Sequence, residues 1–408
     1  MNILYTITSY PPAIGGTQLY THQLAAHFLR ARNAVKVVTF WDQTRHDWLW
    51  GTTLSAHPEP REYCVDGVSV HRLGLTIADK IRILPAALGY WFLEGPAIRH
   101  ISRLVAAKLE AIEGDWQLVH NVRQGREALS FASLKLARSL GVPFVLTPVH
   151  HPRWGGWLHR HFQALYRTAD AVIALTNSEK QTLVDLGVSE ERVHVTGMGP
   201  VLSPSSDADG FRQKAGLGLD PVVLFLGTHF PYKGLQTLVL AAEHVWKIFP
   251  SARFVFAGTP TSFSRRLFAR RPDPRFLHLG AVDLQAKTDA LAACNLLCVP
   301  STQESFGGVY VEAWAMGKPV IAADIPATRE VVSDGIDGYL VPADPLALAR
   351  TICALLAEPA LQKRMGEAGR QKVRAKYTWE RLAERTEQVY RHVLQAGPAP
   401  AAPEEGTT

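Results

Sequence analysis

The chain has 408 residues, of which 47% are hydrophobic and 20% are charged, and it carries a formal net charge of +6. These proportions are those of an ordinary globular protein, and the length favours two domains over a single core. No apolar run reaches the ~18 residues that a membrane-spanning helix needs. We read the first residues as a strand, because they lack the basic start and cleavage site of a signal peptide.

The positive balance suits nucleotides and anionic membrane surfaces, and no nucleic-acid partner is expected. We interpret one dense group of arginines as a solvated helix face, with contact to anionic lipid as the alternative. Its members are Arg265, Arg266, Arg270, Arg271 and Arg275. The four cysteines show no disulfide or metal spacing, which favours a reducing cytoplasmic location, peripheral at the inner membrane face if lipid is bound.

The first half of the chain alternates short apolar runs with amphipathic ones. The pattern predicts strands at 3–8, 35–40, 118–120, 144–147 and 171–174, and helices at 19–30, 98–112, 128–140 and 157–169. Strands that alternate with helices indicate βαβ units and a parallel sheet. Residues 75–100 are rich in aromatics and contain prolines, and they receive no assignment.

Residues 200–218 are rich in Pro, Ser, Asp and Gly and are predicted to be a linker. A second alternating set follows, with strands at 222–226, 254–257, 296–299 and 320–322 and helices at 235–249, 284–293, 309–316 and from 345 and 361. We therefore predict an α/β chain with two tandem Rossmann-like domains, 1–199 and 219–375, that face each other across a cleft. In such sheets ligands bind at the carboxyl ends of the strands.

The most informative segment is 304–312, Glu-Ser-Phe-Gly-Gly-Val-Tyr-Val-Glu, which lies between a predicted strand and a predicted helix. Gly307 and Gly308 fall where the helix begins, so free backbone N–H groups and the helix dipole would attract an anion such as a phosphate. Glu304 and Glu312 could accept hydrogen bonds from sugar hydroxyls on either side of it. The arrangement suits a nucleotide-sugar.

The segment from Glu304 to Glu312 resembles the E-x7-E signature of retaining GT-B glycosyltransferases of family four. The resemblance continues through the residues that follow at 313–322, Ala-Trp-Ala-Met-Gly-Lys-Pro-Val-Ile-Ala. The resemblance implies that Glu312 holds the ribose and Glu304 the transferred sugar. It assigns the diphosphate to backbone amides of Phe306, Gly307, Gly308 and Val309. It also implies that a helix at 376–395 returns to the first domain. The composition of the Pro- and Ala-rich end predicts a disordered tail at 396–408.

A second motif, Gly-Thr-His-Phe-Pro-Tyr-Lys-Gly at 227–234, follows another predicted strand. Lys233 there could neutralise a diphosphate. The motif resembles the family's Gly-Arg…Lys-Gly, in which an arginine and a lysine stabilise the leaving diphosphate. This chain departs from that pattern, because Thr228 follows Gly227 in place of the arginine. Either Lys233 acts with less cationic help, or Arg153 or His229 substitutes.

Two loops of the first half complete the candidate site. Gly15, Gly16 and Thr17 follow the first strand and offer backbone amides to an anion or an acceptor, as in the family's N-terminal Gly-Gly loop. A later loop carries His150, His151 and Arg153 after a strand. Family members have a Thr-x-His near the donor sugar at this place. The one-residue offset here leaves the choice between His150 and His151 open.

The sequence thus predicts a retaining hexosyltransferase of carbohydrate or cell-envelope biosynthesis. It would use a nucleotide diphosphate sugar as co-substrate, with neither cofactor nor metal, because cationic side chains and helix dipoles supply the positive charge. The acceptor would be a glycan, a glycolipid or a small molecule. The alternatives are a nucleotide-sugar epimerase, a sugar phosphorylase on the same fold, and an inactive nucleotide-sugar-binding subunit.

Overall fold

Two mainly parallel β-sheets organise the chain, one in each of two units. The structure is a computed structural model that describes residues 1–13, 15–43, 54–123, 125, 127–150 and 159–398. The N-terminal unit comprises residues 1–197 and the chain from Trp379 onward, and the C-terminal unit comprises residues 198–378. None of the helices in this described part combines the length and hydropathy of a membrane span.

The N-terminal unit holds eight strands and seven helices among its described residues. The strands are β1 (Asn2–Ile7), β2 (Ala34–Thr39), β3 (Arg61–Val65), β4 (Val68–Arg72), β5 (Leu118–Val122), β6 (Phe144–Thr147), β7 (Ala171–Ala174) and β8 (Val193–Val195). The helices are α1 (Gly16–Arg30), α2 (Ile77–Leu88), α3 (Glu94–Glu110), α4 (Leu129–Leu140), α5 (Arg160–Thr168), α6 (Asn177–Asp185) and, from the end of the chain, α15 (Trp379–Ala396).

The C-terminal unit holds six strands and eight helices. The strands are β9 (Val222–Leu226), β10 (Arg253–Ala257), β11 (Phe276–Gly280), β12 (Leu296–Val299), β13 (Val320–Ala323) and β14 (Gly338–Val341). The helices are α7 (Ala208–Lys214), α8 (Leu235–Val245), α9 (Ser262–Arg270), α10 (Leu284–Ala293), α11 (Gly308–Ala315), α12 (Pro326–Val331), α13 (Pro345–Ala357) and α14 (Pro359–Lys376).

Both sheets reverse their strand order beside their first strand. The orders are β3-β4-β2-β1-β5-β6-β7-β8 and β11-β10-β9-β12-β13-β14, and among the described strands only the β3–β4 hairpin is antiparallel. The second is the order of a dinucleotide-binding Rossmann sheet. Helices cover both faces of such sheets, which explains why β9 and β12 are buried along their whole length and read as unbroken apolar runs. The predicted α/β class and the two Rossmann-like units are confirmed.

The segment predicted as a linker contains structure of its own. Helix α7 lies within 200–218 and belongs to the C-terminal unit. Its cap Asp207 accepts from the N–H of Gly210, and its Arg212 donates to the carbonyl of Ala293 at the end of α10. A short polar helix with few apolar residues leaves little periodicity to read, so the linker prediction is corrected here.

The last helix, α15, packs in the N-terminal unit. The hydroxyl of Tyr390 lies 2.8 Å from the hydroxyl of Tyr5 on β1 and 2.6 Å from Nδ1 of His120 on β5. Burial lowers the pKa of His120 to about 3, so its imidazole is a neutral core group. The helix therefore closes the unit that the first residues of the chain begin.

Candidate functional site

The reversal of strand order in the C-terminal unit brings two loops together. β9 and β12 are neighbours at this point, and the loops that carry Lys233 and Glu304 follow their carboxyl ends. The N–H of Thr302 donates to the carbonyl of Tyr232 over 2.8 Å. Gly234 has a φ of +77°, and a Cβ there would meet the carbonyl oxygen of Pro300 at 2.2 Å. Only glycine therefore lets the two backbones approach this closely.

Lys233 and Glu304 form an ion pair across these two loops. Nζ of Lys233 lies 2.6 Å from Oε1 of Glu304, and both side chains are largely buried. The ammonium also lies 5.5 Å from the ring centre of Tyr232. The sequence places these residues 71 positions apart, and the strand order makes them partners. A cation and a carboxylate side by side can hold a phosphate and a hydroxyl group at the same place.

Helix α11 begins beside this pair. Gly307 is its N-cap with a φ of +87°, and the N–H of Tyr310 is the first to bond back, to the carbonyl of Gly307. The N–H groups of Gly308 and Val309 precede that bond, so they belong to the helix donors without an intrahelical acceptor. A Cβ on Gly308 would meet Sδ of Met198 at 2.9 Å. The glycines thus permit a tight turn whose amides can bind an anion.

The second glutamate of the motif has a cationic partner of its own. Glu312 lies on α11, and its Oε1 is 2.6 Å from Nζ of Lys287 on α10. The backbone N–H of Val201 also donates to the Glu312 carboxylate. Burial raises the pKa of Glu312, and the Lys287 ammonium opposes that rise. The Glu312 carboxylate is therefore a buried hydrogen-bond acceptor whose negative charge is partly offset by the Lys287 ammonium.

Lys287 did not stand out in the sequence. It lies on a helix capped by Asp283, whose carboxylate accepts from the N–H of Ala286, and in the sequence it looks like an ordinary surface lysine. Its partner is 25 residues away on another helix. No local pattern links the two positions, so only the packing of α10 beside α11 identifies the pair.

His229 is not a replacement for the family arginine. Its ring is almost fully buried, and its centre lies 5.8 Å from that of Phe225 and 6.4 Å from that of Phe268. Burial, together with nearby His278, lowers the pKa of His229 to about 4, so the imidazole is neutral at pH 7. The suggestion that His229 supplies the missing charge beside Thr228 is therefore wrong.

The loop that includes Gly227 and Thr228 packs against the loop after β10. Gly227 has a φ of +146°, and a Cβ on Gly258 would meet its carbonyl oxygen at 2.0 Å. The N–H of His229 donates to the carbonyl of Thr259 over 3.0 Å. The backbone at 227–229 is thus held in place, while the Thr228 side chain brings no charge.

In the N-terminal unit, the Gly15 loop follows β1 at the corresponding reversal of strand order. Gly15 is the extended N-cap of α1, which Gly16 begins. Nearby, Nε2 of Gln18 donates to Oγ of Ser9 over 2.9 Å, and Oγ1 of Thr17 donates to Oε1 of Gln18 over 3.0 Å. A polar helix start therefore lies where ligands bind in open α/β sheets.

His150 lies deep in the N-terminal unit. Its N–H donates to Oε1 of Glu179 over 2.5 Å, and its ring meets Tyr166 edge to face at 5.8 Å. Burial, with a smaller effect of Arg123, lowers the pKa of His150 to about 4. Glu179 also accepts from the N–H of Leu175, and burial raises its pKa to about 7. His150 is therefore a neutral imidazole. His151 and Arg153 lie outside the described residues.

Comparison with known proteins identifies both units. Residues 15–199 match the family described as "Glycosyl transferase 4-like domain", and residues 220–358 match the family "Glycosyl transferases group 1". The structure resembles sucrose-phosphate synthase from Thermosynechococcus elongatus, with a TM-score of 0.75 and 22% identity over 97% of this chain and all of that one. It also resembles Anabaena HepE, solved with UDP and glucose, with a TM-score of 0.73 and 20% identity over 96% of this chain and 99% of the other.

Curated relatives give a consistent result. Phosphatidyl-myo-inositol mannosyltransferase from Mycobacterium tuberculosis is 37% identical over 47% of this chain and 53% of its own length. D-inositol 3-phosphate glycosyltransferase from Xylanimonas cellulosilytica is 34% identical over 57% of this chain and 59% of its own length. The chain thus spans somewhat over half the length of these relatives. The fold is GT-B, and the chain belongs to the group 1 glycosyltransferases, with a family-four-like N-terminal domain.

Proposed function

We propose that the protein transfers a hexose from a nucleotide diphosphate sugar to an acceptor hydroxyl, with retention of anomeric configuration. The observation that carries the proposal is the Lys233–Glu304 pair at the reversal of strand order, next to the amides that begin α11. A cation, a carboxylate and free amides together match a diphosphate joined to a sugar.

The donor would bind in the C-terminal unit. Lys233 and the amides of residues 306–309 would hold the diphosphate, and Glu304 would accept hydrogen bonds from hydroxyls of the transferred sugar. Glu312 would accept from the ribose hydroxyls, while the Lys287 ammonium opposes the rise in its pKa that burial causes. Both glutamates already have lysine partners. The donor would therefore either bind to these ion pairs as they stand or replace one partner in them.

Transfer would depend on stabilising the departing nucleotide diphosphate. The bond from the anomeric carbon to the phosphate oxygen breaks while the acceptor oxygen bonds to the same face of that carbon. The acceptor proton passes to the departing phosphate. Lys233 and the helix amides face the charge that grows on this phosphate, and preorganised donors of that kind lower the barrier most. We therefore also propose that no metal ion takes part.

The acceptor would bind in the N-terminal unit, near the loop of Gly15, Gly16 and Thr17 and the loop that carries His150, His151 and Arg153. A glycan or lipid-linked acceptor is supported by the relatives, one of which is by name a phosphatidyl-myo-inositol mannosyltransferase. A cytoplasmic protein in peripheral contact with the inner membrane face fits this acceptor class, and all four cysteines carry free thiols.

A ligand panel tests the proposal. UDP-, GDP- and ADP-sugars are added to the purified chain, and a donor at ~100 times its dissociation constant should add ~2.7 kcal/mol of stability. Turnover with the stabilising donor, and NMR of the product's anomeric proton, would then establish retention. No stabilisation by any nucleotide-sugar, and no transfer, would overturn the proposal.

An inactive nucleotide-sugar-binding subunit is the second candidate. It is favoured by one observation, the threonine at 228 where the family has its arginine, which His229 does not replace. Stabilisation by a nucleotide-sugar without transfer to a range of acceptors would support this alternative. Epimerisation or phosphorolysis of the donor would instead appear as a different product in the same reactions.

A further inference from the structure

A buried carboxylate joins the carboxyl ends of two neighbouring strands in the N-terminal unit. Oε1 of Glu179 accepts over 2.5 Å from the N–H of His150, which follows β6. Its Oε2 accepts over 2.7 Å from the N–H of Leu175, which follows β7. Because β6 and β7 pair in parallel, both donors lie at the edge of the sheet where ligands bind. The Glu179 residue is only 4% exposed.

The reach of this side chain goes beyond its own helix. Glu179 is the third residue of α6, and Oγ1 of the cap residue Thr176 accepts from its N–H. In a capping box, the glutamate at this position accepts from the N–H of the cap residue. Here both carboxylate oxygens accept from N–H groups that precede the cap, and one of these donors is 29 positions away. The bond to His150 therefore links α6 to the chain that leaves β6.

The residue before His150 has a strained backbone. Val149 has a φ of +45°, in the left-handed region that β-branched residues rarely adopt. Among the described residues, the other non-glycine residues with a positive φ are Arg32 and Asp66, and neither is β-branched. Such strain persists where the surroundings enforce it, and it is concentrated at functional sites. The bond from the next N–H to Glu179 fixes this turn directly.

Two tyrosines, an arginine and an imidazole lie around the carboxylate. The hydroxyls of Tyr166 on α5 and Tyr20 on α1 interact with its charge, and Arg123, which follows β5, donates to the Tyr166 hydroxyl. The imidazole is the neutral ring of His150. Burial raises the pKa of Glu179 to about 7, while the two backbone hydrogen bonds oppose that rise. Tyrosine and arginine keep their protons at neutral pH, so Glu179 is the member of this cluster that titrates there.

We propose that Glu179 is a positioning residue for sugar transfer, whose carboxylate holds the strained turn at Val149 and so fixes the direction in which the chain leaves β6. This inference rests on the proposed function, because the loop that carries His150 is assigned there to the acceptor side. An ionised carboxylate forms charge-assisted bonds with both N–H groups. A protonated one carries a hydrogen on one oxygen and holds the turn less firmly.

Unfolding at different pH values tests the ionisation of Glu179 without any sugar transfer. Its folded pKa of about 7 lies above the ordinary value of 4.5, so its contribution to stability is complete below pH 4.5 and is lost as the pH rises through 7. Relative to Glu179→Gln, the wild-type folding equilibrium constant should fall by about two orders of magnitude over this range. Identical pH dependence of the two proteins would overturn the proposal.

A matched control removes a different glutamate from the same unit. The Glu190 side chain is 73% exposed and pairs with Lys180 at 3.3 Å. Glu190→Gln should therefore follow the wild-type curve of stability against pH, because an exposed pair contributes little. A control that changes this curve as much as Glu179→Gln does would show that burial of Glu179 is not the cause.

Hydrogen exchange tests the hold on the turn. At about pH 8 the amides of His150 and Leu175 should exchange about tenfold faster or more in Glu179→Gln than in wild type. The reason is that a glutamine offers one oxygen and an NH₂ group, which cannot accept from both donors. Glu190→Gln should exchange as wild type at both amides. Unchanged protection in Glu179→Gln would show that the carboxylate does not hold this backbone.

Turnover then separates positioning from general damage. With the UDP-, GDP- or ADP-sugar that stabilises the wild type, wild-type kcat should fall as the pH drops from about 8 to about 6, because Glu179 gains its proton there. Glu179→Gln should lower kcat by about tenfold or more at pH 8 and lose this part of the pH profile. Affinity for the nucleotide should stay the same, because the donor is proposed to bind in the other unit.

A second substitution should rescue the first. Glycine adopts a positive φ without strain, so Val149→Gly added to Glu179→Gln should recover a large part of kcat. A double variant no faster than Glu179→Gln would overturn the positioning role, as would wild-type kcat in Glu179→Gln itself. Absence of transfer by the wild type would instead overturn the proposed function, and exchange would still decide whether Glu179 holds the turn.

Discussion

Oε1 of Glu312 and Nζ of Lys287 lie 2.6 Å apart, on two helices of the C-terminal unit, and both side chains are at least 87% buried. Burial alone would favour the protonated carboxyl, because a charge is poorly solvated there. The ammonium of Lys287 acts in the opposite direction on the pKa of Glu312. The pair therefore decides whether Glu312 meets a ligand as an acceptor or as a neutral acid.

Replacing this lysine tests the relationship. Lys287→Met keeps the aliphatic stem but leaves Glu312 as a buried carboxyl without its cation. We expect the free energy of unfolding in urea to fall by about 3 kcal/mol, since breaking one side of a buried pair is costly. Lys247→Met, at an exposed position of the same unit, should stay within about 0.5 kcal/mol of wild type. Equal stability of the two variants would contradict the structural role of the pair.

The two glutamates should differ in what they bind. Glu304→Gln should lower kcat and leave affinity for the free nucleoside diphosphate nearly unchanged, because its carboxylate is proposed to face the transferred sugar. Glu312→Gln should weaken the nucleotide itself by roughly 1–3 kcal/mol, the usual effect of losing a charged hydrogen bond. Calorimetry and turnover on the same preparations measure both effects. The opposite pattern would reverse the donor orientation proposed here.

Lys233 should act mainly in the transition state. Lys233→Ala should lower kcat by about 10²-fold or more, because the ammonium meets charge that grows as the donor bond breaks. Affinity for the nucleoside should change far less, since the lysine is proposed to contact the diphosphate. Lys233→Arg keeps the charge and should recover part of the rate. An alanine variant with wild-type kcat would exclude this role.

His229 should make the protein sensitive to acid. Its folded pKa is about 4, below the unfolded value of 6.5, so the unfolded chain binds this proton first as the pH falls. The contribution to stability is complete above pH 6.5 and is lost between pH 6.5 and 4. His229→Phe, which can pack against Phe225 and Phe268, should remove about 2–3 kcal/mol of this loss.

Urea unfolding of both proteins at about pH 7.5, 6 and 4 measures the effect, because this range includes both the unfolded pKa of 6.5 and the folded pKa of about 4. The variant and wild type should diverge progressively as the medium becomes more acidic. If the free energies of unfolding of variant and wild type fell in parallel with pH, His229 would have the same pKa in the folded and unfolded states. The same variant should retain transfer activity, because a neutral buried ring supplies no charge to the donor.

The end of the chain should be needed for stability only as far as α15. A chain ending after residue 378 lacks the helix that joins Tyr390 to Tyr5 and His120, and its N-terminal unit should unfold at a markedly lower temperature. A chain ending after residue 398 loses a Pro- and Ala-rich tail with little to bury and should melt as wild type. Tyr390→Phe isolates the hydrogen bonds, because it keeps the ring that packs against Phe28, and it should cost about 1–3 kcal/mol. Identical melting of both truncations would contradict this account.

Sequence periodicity was sufficient for most of the fold. Strands with unbroken apolar runs, such as β9 and β12, and amphipathic helices, such as α4, were predicted to within a few residues. Helix α2 was not predicted, because it carries apolar residues on its outward face as well as its inward one and contains Pro85. A pattern that is apolar on both sides resembles neither an amphipathic helix nor an alternating strand.

The site was predictable only where a local motif marks it. Gly307 and Gly308 indicated the start of α11, because they fall between a predicted strand and a predicted helix. The lysine partners of the two glutamates were less accessible. Lys233 could be suspected from its loop, but its pairing with Glu304 follows from strand order, and the pairing of Lys287 with Glu312 follows from helix packing. Neither relation is encoded within a short window of sequence.

The hydrogen bond between Tyr5 and Tyr390 spans 385 positions of the chain, and this has a consequence for synthesis on the ribosome. While translation proceeds, strand β1 and its neighbours emerge first but lack the helix that covers them. The C-terminal unit has all of its strands by residue 341, before α15 exists. Loops of this length close slowly, and apolar surface left uncovered in the meantime invites aggregation. The nascent N-terminal unit is therefore the part of this protein with the greatest need of a chaperone.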